Sequence, residues 1–394
     1  MAFLSKNLKD YQLSAERGFL ADFELDEISL PAQFSEVIKS ADRLPALITA
    51  ANVRKELNQL PQLDLTGFVT HGTDRELRAA MVRYSFLVQA YVWGEAAAPT
   101  SLPANLAVPM VQLADALDQA PLLPYSAYVL DNWARLDKAL PITLDNIRMV
   151  QNFLGGQDEN WFVLIHVAIE AKAGTALALT LDLIKAVELN PPDAAQKVVD
   201  LLNSMNETWY EINALFDRMI ERCDPYIYYQ RVRPYIHGWK NNPALPGGLI
   251  YEGVARFNGQ PQAFCGQTGS QSSIVPVMDG LYGVVHQNDE LREFLNELHA
   301  YRPRAHRRFI EDVAASSQLR AFCVACGTPE IRSAFNACVE QVAIFRSKHL
   351  EYAASYINKQ AAAQPGNDPD IGTGGTPFMR YLKKHRDENR AQLI

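Results

Sequence analysis

The chain has 394 residues, 48% hydrophobic and 21% charged, with a formal net charge of -8 and a pI near 5.6. That acidic balance argues against nucleic acid or an anionic membrane as the main partner, and the length exceeds what one growing core accommodates, so two domains are expected. Five cysteines, an odd number, do not make a secreted disulfide framework, and the opening stretch MAFLSKNLKDYQLSAERGFL has no charged segment followed by a continuous apolar one; the expected compartment is a reducing cytoplasm.

Periodicity predicts short helices over 32–41 and 43–59, then a longer one over 74–94 with Leu77, Met81, Tyr84, Leu87, Val88, Tyr91 and Val92 facing inward. Pro99, Pro103 and Pro109 predict a loop, after which helices resume near 108–119 and over 125–133. The polar, glycine-bearing segment 152–160 is the best linker, and the boundary placed there divides a small N-terminal domain, 1–152, from a large helical domain, 153–394. Helices follow over 159–187, 192–222, 286–299, 304–315 and 330–359, while strand signals are sparse, so the fold class is all-α. Two irregular glycine-bearing stretches, 236–273 and 364–376, interrupt them, and long loops in a compact helical domain are usually functional or disordered. The most apolar window, 161–184, carries His166, Glu170, Lys172 and Asp182, which marks a buried helix and not a membrane span.

Phe335, Cys338, Val342, Phe345, His349, Tyr352 and Tyr356 keep three-four spacing along one stripe of the 330–359 helix, so an imidazole sits among apolar and aromatic neighbours. Phe162, His166, Ile169, Ala173, Ala176, Thr180 and Leu183 repeat the pattern on 159–187, where Ala173, Gly174 and Ala176 leave room for something flat. A lone inward histidine is more often a core residue bonded to a carbonyl. Two on separate helices fit either a haem held between a proximal and a distal face or two unrelated core histidines. In the stretch 224–243, Tyr228 and Tyr229 beside Arg233 suit a ligand with a ring and a carboxylate, although tyrosine clusters also close ordinary cores. Arg302, Arg304, Arg307 and Arg308 around His306 read as a solvated face or an ion-pair network. Cys323 and Cys326 read as a structural pair, and the GTGGT of 372–376 as an anion-holding turn or a hinge before the last helix. GxxxxGK[ST], GxGxxG, HExxH and GxSxG are all missing.

The phrases GWKNNPALPGGLIYEGV (238–254), GSQSS (269–273), FRSKHL (345–350) and GTGGTPFMRYLKKHR (372–386), in this order and spacing, resemble the indoleamine 2,3-dioxygenase family of haem proteins, as does the 125–133 segment. The resemblance covers nearly the whole chain and is strongest from about residue 120 onward. It implies a small helical domain packed over a larger, all-helical, haem-bearing one, and one haem b per chain, with O2 as co-substrate and a monomeric state. On matching positions it implies His349 as the proximal iron ligand and Arg346 with Asp279 as the charged pair beside it. It also implies Arg233 as the grip on the substrate carboxylate and Thr373 as the threonine of the loop that closes over the amino acid. Tyr125, Tyr128, Phe162, His166, Tyr228, Tyr229, Thr268 and Gly269 fall on distal-pocket positions.

Two departures bear on substrate. Well-known animal members carry serine where this chain has His166, whereas the related tryptophan 2,3-dioxygenases have a distal histidine that bonds the indole N–H. Tyr228 and Tyr229 stand where those animal members have two phenylalanines, and the added polar groups must be satisfied by ligand or water. The expected activity is insertion of both O2 atoms across the indole C2–C3 bond of L-tryptophan, or a related indole, giving N-formylkynurenine, catalysed by His166, Arg233 and Thr373. Alternatives are a haem-dependent mono-oxygenase or ring-rearranging enzyme of secondary metabolism, and a non-catalytic haem or gas-binding protein.

Overall fold

The computed structural model describes residues 3–288, 290–362 and 378–394. Its architecture is helical: within these residues the only strands are two short pairs, Ser101–Leu102 parallel to Ile250–Tyr251, and Trp133–Arg135 antiparallel to Ile147–Met149. The all-α expectation holds.

The central element is Gln157–Leu189, a helix of 33 residues with buried side chains all round it, from Val163, Ile165 and Val167 to Leu177, Leu181 and Leu183. A helix apolar on every side belongs in an interior. Although its length and hydropathy would let it cross a membrane, most of it is buried inside the molecule, as expected of a core helix. It ends on Asn190, left-handed at φ 42°, ahead of Pro191 and Pro192, and the chain turns back as Ala194–Asp217 along its side. Pro329–Ala353 packs on that second helix, and Phe378–Arg390 packs on the third. Asp74–Trp93 packs against Ala104–Leu117. Thr73 and Glu76 close a reciprocal capping box at the start of Asp74–Trp93.

Local chemistry shifted several boundaries. The helix expected over 43–59 is broken into Leu44–Thr49 and Val53–Leu57, with Ala51 left-handed at φ 48° between them. The proline loop instead starts a helix directly after Pro103, and Pro109 lies within it. The segment 125–133 is π-helical over Ser126–Leu130 before it becomes a strand. The stretch 152–160 is pinned: the buried Glu159 carboxylate accepts from the amides of Phe153 at 2.7 Å, Leu154 at 2.8 Å and Gly155 at 3.0 Å. Burial raises the Glu159 pKa, and those three amides oppose the rise.

Of the small residues on the His166 helix, Ala173 and Ala176 are fully buried, and Gly174 faces the N-terminal segment: a Cβ on Gly174 would fall against the Ala15 carbonyl and 2.8 Å from the Gly18 amide, with Gly18 itself left-handed at φ 57°. Backbone can approach backbone this closely only where side chains are absent. The cluster around His306 also resolves into parts. Arg302 is buried and donates to Ser270 O at 2.7 Å, while Arg304 and Arg307 pair with Asp118. All five cysteines are free thiols, with Cys323 buried.

Candidate active site

His166 and His349, far apart in sequence and on different helices, line one cavity of about 710 Å³. Phe162, Ile169, Phe216, Ile274, Val275, Phe294 and Leu295 supply much of its wall. Two π-helical segments border it, each widening the backbone beside the site: Tyr228–Val232 contributes Tyr228, and Ala354–Asn358 contributes Tyr356 and Ile357.

His349 is presented by Pro329–Ala353. Burial, with His166 across the cavity as a lesser cause, lowers its pKa to about 4, so the ring is neutral at neutral pH. Among the described residues no hydrogen bond reaches either ring nitrogen of His349. Gly269 lies beside it, since a Cβ there would stand 3.9 Å from His349 Cε1. His166 is held differently: its Nδ1 is 2.7 Å from Phe162 O in its own helix. A carbonyl only accepts, so Nδ1 carries the hydrogen and Nε2 keeps the lone pair. Burial lowers the His166 pKa as well, against the pull of that carbonyl.

Beside His349, Arg346 donates to Asp279 Oδ2 at 2.7 Å and to His385 O at 3.1 Å. The buried Asp279 carboxylate is held well below the usual range: desolvation works to raise it, and Arg346 and His286 outweigh that. The resemblance and the geometry thus select the same charged pair.

Other expected residues are distributed unevenly. Tyr125, Phe162, Tyr228, Thr268 and Gly269 are on the cavity wall. Tyr128 is not; it is fully buried behind Phe162, their ring centroids 6.5 Å apart. Tyr229 also stands behind the wall, its ring 5.3 Å under the Arg233 guanidinium. Arg233 is 5% exposed and likewise off the wall, next to Tyr228, and burial lowers its pKa. Thr373 and the GTGGT turn lie outside the described residues.

Sequence reading passed over Glu170, which lines the cavity one turn after His166. It accepts from Tyr125 Oη and Ser272 Oγ, both at 2.8 Å, and burial raises its pKa to about 7 against those bonds. Helical spacing carried the signal, since positions 166 and 170 share a face. His286, His385 and Glu388, also missed, meet across about a hundred residues of chain.

The family model described as indoleamine 2,3-dioxygenase matches residues 7–392. Human indoleamine 2,3-dioxygenase 2 is 31% identical, the alignment covering 98% of this chain and 96% of that protein. Rat indoleamine 2,3-dioxygenase 1 is 32% identical over 98% and 96%, and the Saccharomyces cerevisiae indoleamine 2,3-dioxygenase 29% over 98% and 93%. A match that runs almost from end to end, on a helical fold with two histidines facing one cavity, means that the chain belongs to the indoleamine 2,3-dioxygenase family.

Proposed function

We propose that this protein is a haem-dependent dioxygenase that converts L-tryptophan and O2 to N-formylkynurenine, with both oxygen atoms retained in the product. The observation that carries the reading is the pair of imidazoles on one cavity, one unengaged and neutral, the other locked with an acceptor nitrogen. The residues present fit a haem. His349 offers a lone pair that no described protein group takes, the neighbouring position is a glycine, much of the wall is apolar, and about 710 Å³ lies within the roughly 300–1,000 Å³ of cofactor and ligand sites. His349 would hold the iron, and Arg346 with Asp279 would fix the helix turn before it. Bound haem supplies the ferrous centre at which O2 is taken up.

The protein's own contribution is positioning. His166 Nε2 accepts the indole N–H, since a neutral ring whose Nδ1 already donates to Phe162 O has no second hydrogen to give. Phe162, its ring 4.7 Å from His166 and 4.8 Å from Tyr228, provides the aromatic surface against which the indole packs. Arg233, next to Tyr228 and behind the wall, takes the substrate carboxylate once its side chain turns toward the cavity. Glu170 keeps Tyr125 and Ser272 in place on the same wall.

Spectral titration of the haem-loaded protein with L-tryptophan, followed by turnover in labelled O2 with mass analysis, tests the proposal. Two labelled atoms in N-formylkynurenine are expected. A single labelled atom would assign an indole mono-oxygenase, and tryptophan-dependent spectral change without turnover would assign a binding protein.

A further inference from the structure

The loop after Ile274–Tyr282 and the last helix, Phe378–Arg390, bring His286, His385 and Glu388 together, with one ligand-type atom from each, all within 4.8 Å of one another. The cluster is well covered: the side chains of His286 and Glu388 are 6% and 11% exposed, and His385 is buried. His286 Nδ1 stands 2.6 Å from Glu388 Oε2, a hydrogen-bonded pair, while its Nε2 is 3.0 Å from Asp279 Oδ2. The His385 ring lies 4.8 Å from that of His286, centroid to centroid, and among the described residues no hydrogen bond reaches it.

We propose that His286, His385 and Glu388 form a binding site for a divalent cation of the zinc class, with Asp279 orienting His286 from behind. Two imidazoles and a carboxylate are a donor set that zinc takes readily. A ligating histidine whose other nitrogen is bonded to a carboxylate is the usual outer arrangement of such sites, and Asp279 provides it. An imidazolium held between two carboxylates would account for His286 and Glu388 but leaves His385 buried with its ring unused. On binding, the cation replaces the proton shared by His286 Nδ1 and Glu388. That proton leaves to solvent, and Nε2 keeps its own toward Asp279. Ligand atoms of a tetrahedral zinc stand about 3.4 Å apart for bonds of about 2.0–2.2 Å, so on binding the 2.6 Å His286–Glu388 pair opens and the 4.8 Å spread closes, both by side-chain rotation. The ion would clasp the last helix to the loop after Tyr282 and, through Asp279 and Arg346, to the turn that precedes His349. His286 and His385 also line the cavity assigned above to haem, but zinc content and affinity are read without turnover.

The test uses haem-loaded protein stripped with a chelator and dialysed against micromolar zinc, with metal content by mass spectrometry and affinity by calorimetry. One zinc per chain is expected in addition to the iron. Zinc K-edge absorption should read imidazole nitrogens at about 2.0–2.1 Å. His385→Ala and Glu388→Gln should each weaken binding at least tenfold, while Asp387→Asn, altering an exposed carboxylate on the same helix, should not. If His385→Ala fails to fold, as judged by circular dichroism, His385→Gln takes its place. Sub-stoichiometric zinc in the parent protein, or equal affinity in the His385 and Glu388 variants, would overturn the proposal.

Discussion

Arg233 is a buried cation with its guanidinium over the Tyr229 ring, so its burial is supported by an aromatic face. Arg233→Ala should lower kcat/KM for L-tryptophan by about 2–4 kcal/mol, the scale of a desolvated charge-assisted pair, and unchanged steady-state kinetics would remove it from the site. His166 makes a different prediction, because its tautomer is set by Phe162 O. The preference for L-tryptophan over the analogue methylated at the indole nitrogen should shrink by about 1–3 kcal/mol in His166→Ala, read as the ratio of the two kcat/KM values. His349→Ala should purify without a Soret band or with very weak haem retention. Normal haem content in that variant would refute the ligand assignment.

At the scale of elements, the long central helix meets two kinds of neighbour. Near its middle it offers His166 and Glu170 to the cavity, and one turn further Gly174 lets the N-terminal segment press backbone against backbone. Gly174→Val should therefore lower stability by about 1–3 kcal/mol, because the new side chain meets main-chain atoms with no rotamer in which to escape. Chemical denaturation of the haem-free protein measures this, and a change under 0.5 kcal/mol, as is usual for exposed sites, would mean that the segment does not pack there. The π-helical widening at Tyr228–Val232 and Ala354–Asn358 belongs to this scale too, since it sets which aromatic rings reach the cavity.

Over the whole molecule, folding buries several histidines in their neutral form: the pKa falls to about 3 in His237, about 4 in His349 and about 3 in His385, desolvation being the first cause in each. An unfolded chain takes up these protons near pH 6.5 while the folded one refuses them, so stability rises with pH through the window from about 4 to 6.5. Glu170, raised to about 7, has the opposite sign, holding a proton in the folded state that the unfolded chain has already lost above pH 4.5. His166, His299 and His306 are lowered in the same sense, while His286, Glu159 and Asp131 are raised and oppose them with Glu170, so six histidines stand against four groups and the melting temperature of the haem-free protein should fall as pH drops from 6.5 to 4. A flat or rising profile in a pH-dependent melting series would contradict the assignment.

Helical class, the central and C-terminal helices, and both cavity histidines were legible in the sequence, because three-four spacing and apolar density act within one element and report its inward face. The Arg346–Asp279 pair and the glycine beside His349 came from resemblance, and Arg346 and Asp279 are indeed bonded to each other. At Gly174 periodicity could report only that something approaches, since an absent side chain does not name its neighbour, and in this fold that neighbour is residues 15–18 of the same chain. Tyr128, Tyr229 and Arg233 sit one layer behind the wall because a helix face is broad and only packing decides which residue on it reaches the cavity. Which residues turn inward could be read along one chain; which of them meet could not, because His286 and Glu388 touch only once folding brings together positions 102 residues apart.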